Sequence, residues 1–329
     1  MKQIKLLFLL ASASVTGAFA QSNGLTDMSQ SRYAKMANTG IDAVHWTNGF
    51  WGERFNVFSG TSLQSMWNTW NTPEVSHGFR NFEIAAGVCK GEHWGPPFHD
   101  GDMYKWMEGV ASVYAVNKDP ELDKLMDNFI ACVVKAQRAD GYIHTPVVIE
   151  ELNKGIDSHT LADSQQQTVI GTKVGSEDEK GAFANRLNFE TYNLGHLMMA
   201  GIVHHRATGK TTLFDAAVKA TDFLCHFYET ASAELARNAI CPSHYMGVVE
   251  MYRATGNPRY LELSKNLIDI RGMVESGTDD NQDRIPFRDQ YRAMGHAVRA
   301  NYLYAGVAEV YAETGEQQLM KNLTSNWNE

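Results

Sequence analysis

A nine-residue phrase recurs four times in this chain, and each copy describes one helix stopping and another starting. The copies are Tyr114-Ala-Val-Asn-Lys-Asp-Pro-Glu-Leu122, His205-Arg-Ala-Thr-Gly-Lys-Thr-Thr-Leu213, Tyr252-Arg-Ala-Thr-Gly-Asn-Pro-Arg-Tyr260 and Tyr311-Ala-Glu-Thr-Gly-Glu-Gln-Gln-Leu319. Gly209, Gly256 and Gly315 suit the left-handed residue that ends a helix. Asp119-Pro120 and Asn257-Pro258 supply an N-cap followed by proline at the first helical position. Corresponding positions lie 91, 47 and 59 residues apart, the spacing of stacked or circular helical hairpins. The fold class expected is all-α. A solenoid is one arrangement. The other is an (α/α)6 toroid, favoured because the copies are divergent and because polar groups collect where several helices open.

Residues 1–20 carry Lys2 and Lys5, the apolar run Leu6 to Ala13, and Ala18-Phe19-Ala20 before Gln21. That is the pattern of a signal peptide with a small-residue cleavage site, so a periplasmic or secreted location is expected. No Cys follows the site, and no later apolar run is long enough for a transmembrane segment. Loss of the two lysines takes the formal charge from −9 to −11. The charges are scattered, which argues against a nucleic acid partner. Cys89, Cys132, Cys225 and Cys241 are far apart, and Cys132 and Cys225 fall within helical apolar patterns, so they read first as buried thiols. An oxidising compartment would permit a disulfide, but spacing does not pair them. With neither C-x-x-C nor H-E-x-x-H, no metal ligands are assigned in this chain.

The chain divides into the signal peptide (1–20), an N-terminal lead (21–41) and a hairpin domain (42–329). Trp46 to Phe58 reads as irregular. A helical period then runs through Leu63, Met66, Trp67 and Trp70 and stops at Thr72-Pro73. After the loop Gly91 to Gly101, the stripe Met103, Trp106, Met107, Val110 and Tyr114 marks a helix with one buried face. Its partner runs through Leu122, Leu125, Met126, Phe129 and Val133 to the turn Asp140-Gly141. Glu150 to Gly181 is polar and aperiodic, a long excursion of the kind that is functional or mobile. Helices resume near Phe189, interrupted by a loop from Glu275 to Arg284.

Imidazoles and carboxylates gather near helix starts: His99, Asp100 and Asp102; Glu190 and His196; His244; Asp289 and His296. Circular packing would bring those starts to one mouth. Gln137-Arg-Ala-Asp-Gly-Tyr142-Ile-His144 adds a tight turn expected to expose Tyr142 and His144. With Trp46, Trp51, Trp67, Trp70, Trp94 and Trp106 as flat apolar faces, this inventory suits a carbohydrate partner. Glycoside chemistry also needs paired carboxylates, for which Asp100, Asp102, Glu190 and Asp289 are candidates. Each has a plainer reading: Asp100 and Asp102 as helix N-caps, a single His as a satisfied structural group, Trp67, Trp70 and Trp106 as core.

Five motifs in order carry a family resemblance: Asp100-Gly-Asp102-Met-Tyr-Lys-Trp-Met-Glu108, Gln137-Arg-Ala-Asp-Gly-Tyr142, Glu190-Thr-Tyr-Asn-Leu-Gly-His196-Leu197, Leu261-Glu-Leu-Ser-Lys-Asn-Leu-Ile-Asp-Ile-Arg271-Gly272 and Gly295-His-Ala-Val-Arg-Ala300. Over residues 42–329 the chain resembles the β-L-arabinofuranosidases of glycoside hydrolase family 127. The resemblance implies an (α/α)6 barrel and retaining hydrolysis by a cysteine thiolate, with a glutamate as general acid and base. It also implies a zinc ion held by cysteines and a glutamate. His144, His196 and His296 match positions that line the sugar subsite, with Asp102 a further match.

In relatives the zinc-binding glutamate and cysteines, including an adjacent Cys-Cys pair, follow the Gly-His-Ala-Val-Arg-Ala helix. Here no Cys follows Cys241, and 33 residues follow His296. The nucleophile and acid/base are therefore expected beyond Glu329, with an incomplete toroid, exposed apolar surface at its edge and no hydrolysis by this chain alone. The leading function is an exported glycosidase acting on β-L-arabinofuranosyl or related sugars of plant glycans. Two alternatives are an unsaturated-uronyl hydrolase or polysaccharide lyase on the same toroid, and a non-catalytic glycan-binding remnant.

Overall fold

The structure is a computed structural model that describes residues 24–156, 182–183, 186–239 and 244–328. Residues 1–23, Cys241 and most of the polar excursion lie outside those residues. Among the described residues there are helices and no strand element.

Each repeated phrase is a helical hairpin, built as its residues require. Helix α4 (His99–Asn117) stops at Lys118, whose backbone is left-handed (φ 53°). A lysine is tolerated there because its ammonium donates to the Ala207 carbonyl at 3.1 Å and lies over the Tyr114 ring. Asp119 then accepts the Glu121 N–H at 2.9 Å and opens α5 (Pro120–Ala136). Helix α6 is Thr145–Asn153. Helix α7 (Glu190–Thr208) ends on Gly209 at φ 78°, followed by α8 (Thr212–Thr230) and the short α9 (Ala233–Asn238). Helix α10 (His244–Thr255) passes through Gly256 and the Asn257 cap into α11 (Pro258–Ile270). The last pair is α12 (Ala297–Thr314) and α13 (Gln317–Trp327), joined at Gly315. Left-handed glycine followed by an N-cap turns the chain back within three or four residues.

Helices α4, α7, α10 and α12 lie side by side as an inner layer, each packed on the next, with α5, α8, α11 and α13 outside them. The inner helices run in parallel. Near the starts of α4 and α7, the Gly101 N–H donates to the Asn193 side chain at 2.9 Å. Near the ends of α10 and α12, Arg253 binds Glu309 and Glu313. Close approach depends on glycine: a Cβ on Gly247 would fall 2.7 Å from the Gly195 carbonyl oxygen, and one on Gly306 would fall 2.4 Å from the Tyr245 Cβ. Helix α7 is buried around nearly its whole circumference, from Leu194 through Val203, as suits a helix inside two layers.

The earlier segments are α1 (Gly49–Val57), a π-helical turn (Phe58–Ser62), α2 (Leu63–Trp70) and α3 (Gly78–Ala85). Helix α1 corrects the irregular reading of Trp46 to Phe58. It buries Gly52 and turns Phe50 and Trp51 to solvent, so the apolar period that identifies a packed helix is inverted. In these segments Phe50, Trp51, Val57, Phe58 and Met66 are exposed. Helix α6 likewise takes the first residues assigned to the polar excursion, Glu150 to Asn153.

The C-terminal ends of the inner helices are closed by charge. Arg206 of α7 meets Glu250 of α10 at 2.5 Å, Glu250 meets Arg253 at 3.0 Å, and Arg253 meets Glu313 of α12 at 2.6 Å. The N-terminal lead lies across this floor: the Asp27 N–H donates to Glu250, Arg206 donates to the Gly24 carbonyl, and the Ser31 hydroxyl donates to the Ala312 carbonyl. Removing one partner from a buried network leaves the others unpaired. Glu250→Ala is expected to lower unfolding stability in urea by roughly 3–5 kcal/mol. Breaking the exposed Arg259–Glu229 pair should cost less than about 1 kcal/mol; equal shifts would show that the floor network does not hold the helices.

Candidate active site

Parallel inner helices place their N-termini on one face, and the site is built there. Asp100, in the first turn of α4, is buried, and its two oxygens accept the Thr145 N–H at 2.7 Å and the Thr145 hydroxyl at 2.6 Å. It therefore caps α6 rather than its own helix, supplying the acceptor that the α6 N-cap residue, His144, does not. Burial alone would raise the Asp100 carboxyl, but the nearby His144 and the Thr145 bonds hold it below the usual carboxylate range.

His144 reaches this position through the Gln137–Tyr142 turn. Gly141 adopts φ +97°, and a Cβ there would lie 2.2 Å from the Lys219 carbonyl oxygen, so only glycine fits. The Gln137 amide bridges the carbonyls of Gly141 and Ala216. Arg138, fully buried, pairs with Asp140 and Glu151 and stacks over Tyr142. Tyr142 and His144 are fully buried, which corrects the expectation that the turn exposes them: Tyr142 packs against Phe183 and Phe223, and His144 lies beside Asn193 and Asp100. His144 Nδ1 lies 3.2 Å from the Asn193 amide and 3.6 Å from Asp100, and its Nε2 is buried with no hydrogen-bond partner.

Deeper along the inner face, Tyr192 and His196 stand one turn apart on α7, with Tyr302 of α12 against both. Opposite them on α4, Asp102, Lys105 and Glu108 follow at i, i+3 and i+6. Lys105 pairs with Asp102 at 2.9 Å and donates to the Tyr192 hydroxyl at 2.6 Å. Its positive charge is therefore already held. Burial, helped by Lys105, drives the His196 imidazole down to about 3, and its Nε2 is buried without a partner. Burial pushes Glu108 up to about 8 against the pull of Lys105, and Glu108 Oε1 also lacks a partner. At neutral pH both are uncharged hydrogen-bonding groups. Tyr302 and Glu108 were missed in the sequence; the signal for Glu108 was its place at i+3 from Lys105 and i+6 from Asp102.

The other candidates separate. His296 is exposed at the N-cap of α12 on the rim of the mouth. It is held there by the loop before it, where buried Gln282 donates to the Asp280 and Met294 carbonyls and Gly295 takes φ +76°. Buried Arg271 donates to the Gln282 and Asn281 carbonyls, which accounts for the Arg271-Gly272 motif. Glu190 is buried and accepts from the Tyr142 hydroxyl at 2.6 Å and the Phe183 N–H at 2.7 Å, a structural role; burial raises its carboxyl. Asp289 is exposed in a short 3₁₀ turn. His244 begins α10. Asp100 and Glu190 thus hold the scaffold and do not form a catalytic pair.

Cys89, Cys132 and Cys225 are free thiols, each with its pKa raised chiefly by burial, Cys225 to about 11. Such thiols keep their protons and are poor nucleophiles. Among the described residues no three His, Cys, Asp or Glu side chains converge as a metal site. Those residues therefore do not fit zinc.

The catalytic-domain profile of the β-L-arabinofuranosidases of glycoside hydrolase family 127 matches residues 43–329. The chain belongs to this family. It is 31% identical over 273 residues to a non-reducing end β-L-arabinofuranosidase of Bifidobacterium longum subsp. longum, a match covering 77% of this chain and 38% of that protein. Among solved structures, a glycoside hydrolase 77% identical in sequence superposes with a TM-score of 0.68 over 93% of this chain and 39% of its own. A family 127 β-L-arabinofuranosidase from Geobacillus stearothermophilus T6, 29% identical, superposes with a TM-score of 0.72 over 87% of this chain and 44% of its own. The chain thus spans less than half the length of these relatives. Family membership accounts for the helical hairpins.

A histidine buried in its neutral form makes the fold sensitive to acid. The unfolded pKa of His196 is near 6.5 and the folded value about 3, so between them the unfolded chain binds the extra proton. This contribution to stability is full above about pH 6.5 and is lost as pH falls toward 3, by up to about 1.4 kcal/mol per pH unit. His196→Asn should flatten the dependence of the urea midpoint on pH between 4 and 6; an unchanged slope would place the acid-sensitive group elsewhere.

Proposed function

We propose that the parent protein is an exported glycoside hydrolase that removes β-L-arabinofuranosyl or closely related residues from plant glycans with retention of configuration, and that these residues form the sugar-binding wall of its site. Family membership supports the reaction class, and the Lys2 to Ala20 pattern supports export. The observation that carries the binding role is the polar wall of the mouth: His196 Nε2, His144 Nε2 and Glu108 Oε1 are all buried and unpartnered, beside Tyr192 and Tyr302. Such groups match the hydroxyls of a neutral sugar, which both donate and accept. His144, His196 and Asp102 would line the subsite, with His296 reaching in from the rim.

An acidic sugar finds less here. Lys105 is held by Asp102, and Arg299 is held by Asp280 and lies over the Phe189 ring. The uronyl hydrolase and lyase readings are therefore the weaker ones. Covalent chemistry is assigned to parts of the parent protein other than the described residues, because Asp100 and Glu190 are committed to the scaffold and the described thiols hold their protons.

Calorimetry of the purified chain against arabinofuranosyl oligosaccharides should show binding without hydrolysis. His196→Ala should weaken that binding roughly threefold to tenfold, the value of one hydrogen bond. Sustained release of arabinose by the chain, free of host enzymes, would overturn the division of labour; tighter binding of a uronate than of a neutral arabinoside would overturn the substrate class.

A further inference from the structure

A second group of unsatisfied rings lies on the same mouth, on the α3 side of α4 and outside the His196 wall. Buried Asn81 of α3 fastens the loop before α4 from both directions: its amide donates to the Trp94 carbonyl at 3.0 Å and its oxygen accepts the Trp94 N–H at 3.3 Å. The backbone is fixed while the indole stays 51% exposed. His77, the N-cap of α3, meets that indole edge-on at 5.0 Å. Gly95 follows at φ +105°, where a Cβ would fall 2.5 Å from the His99 ring, so the loop folds back onto His99 only because this residue is glycine. His99 in turn packs edge-on against Trp70 at 5.8 Å.

The unusual feature is what these rings lack. His77 Nδ1, His93 Nε2 and His99 Nδ1 are buried without hydrogen-bond partners, although each such atom carries a free-energy penalty that proteins generally avoid. Burial lowers His99 and holds His93 at about 4, with Asp100 pulling His93 upward and His144, His99 and His77 opposing a further charge. Near neutral pH this edge of the mouth is therefore a flat indole bordered by imidazole nitrogens. Arg80 of α3 pairs with Glu83. That chemistry suits a neutral sugar ring, which offers an apolar face to the indole and hydroxyls to the nitrogens.

We propose that Trp94, with His77 and His99, forms a second sugar-binding platform that holds the glycan unit next to the one seated at His196. The sequence of contacts around the mouth supports this order, from Trp94 and His77, through His99 and Asp100, to His144, Asn193 and finally His196 with Tyr302. The protein then grips at least two consecutive units and selects oligomeric glycan over free sugar. This rests on the carbohydrate reading above.

The test compares the chain's affinity for methyl β-L-arabinofuranoside with that for a neutral arabinofuranosyl disaccharide and trisaccharide. Trp94→Ala should weaken disaccharide and trisaccharide binding about tenfold and leave the methyl glycoside unchanged, with Trp94→Phe restoring most of the loss. His196→Ala should weaken all three ligands. Because Trp94 is exposed and its loop is held through backbone bonds, circular dichroism should show both Trp94 variants folded. The platform is overturned if Trp94→Ala affects short and long ligands equally, or neither. If the unaltered chain binds no saccharide at all, the carbohydrate reading itself falls, and the platform with it.

Discussion

One buried carboxylate organises the mouth of this protein. Asp100 accepts both the amide and the hydroxyl of Thr145, so the start of α6 is fixed to the start of α4. One residue later, the Gly101 N–H is held by Asn193 of α7, whose amide also reaches the Pro97 carbonyl and the His144 ring. Three helix starts are thereby set within one hydrogen-bonded unit. The position of His144 follows from it, and so does the alignment of α4 with α7 that brings Lys105 to Tyr192 and His196. A carboxylate buried this deeply remains ionised only because donors surround it, so its structural work excludes it from proton transfer.

The two ends of the inner helices solve opposite problems. At the C-terminal end, Arg206, Glu250, Arg253, Glu309 and Glu313 pair with one another across three helices, and the N-terminal lead seals them. Positive side chains there also meet the negative ends of the helix dipoles. At the N-terminal end, paired groups such as Asp100 and Asn193 stand beside the buried, unpartnered His144 Nε2, His196 Nε2 and Glu108 Oε1.

The hairpins were legible because their information is local. A left-handed glycine, an Asx cap and a proline at the first turn act within a few residues: three phrases turn on glycine and the first on Lys118, while Asx caps with proline open α5 and α11. Helix α1 was not legible, because its aromatic residues face outward and its buried residue is a glycine. The carboxylates were misjudged for a related reason. Asp100 and Glu190 sit at helix starts as expected, but whether such a group faces ligand or scaffold depends on Thr145, Tyr142 and Phe183, which are distant in sequence or lie across a loop. Burial of Tyr142 against Phe183 and Phe223, and of His144 beside Asn193, was hidden in the same way. Lys105 and Glu108 carried a detectable signal, the i+3 spacing from Asp102, which gains meaning only once Tyr192 is seen opposite.

The unpaired atoms of the mouth decide what kind of ligand can bind. His196 Nε2, His144 Nε2 and Glu108 Oε1 on one side, and His77, His93 and His99 on the other, each leave a buried polar atom unsatisfied. At about 1–3 kcal/mol apiece, so many together would be a large fraction of a domain's net stability. A ligand that supplies hydroxyls to several of them relieves that destabilisation, and its affinity comes from geometry already present. On the proposed reading, a charged ligand would instead have to be desolvated against the neutral His196 imidazole and the protonated Glu108 carboxyl, with Lys105 already committed to Asp102. On that reading, burial at His196 and Glu108 favours a neutral polyol, and the indole of Trp94 at the edge would extend that preference from one ring to a chain of them.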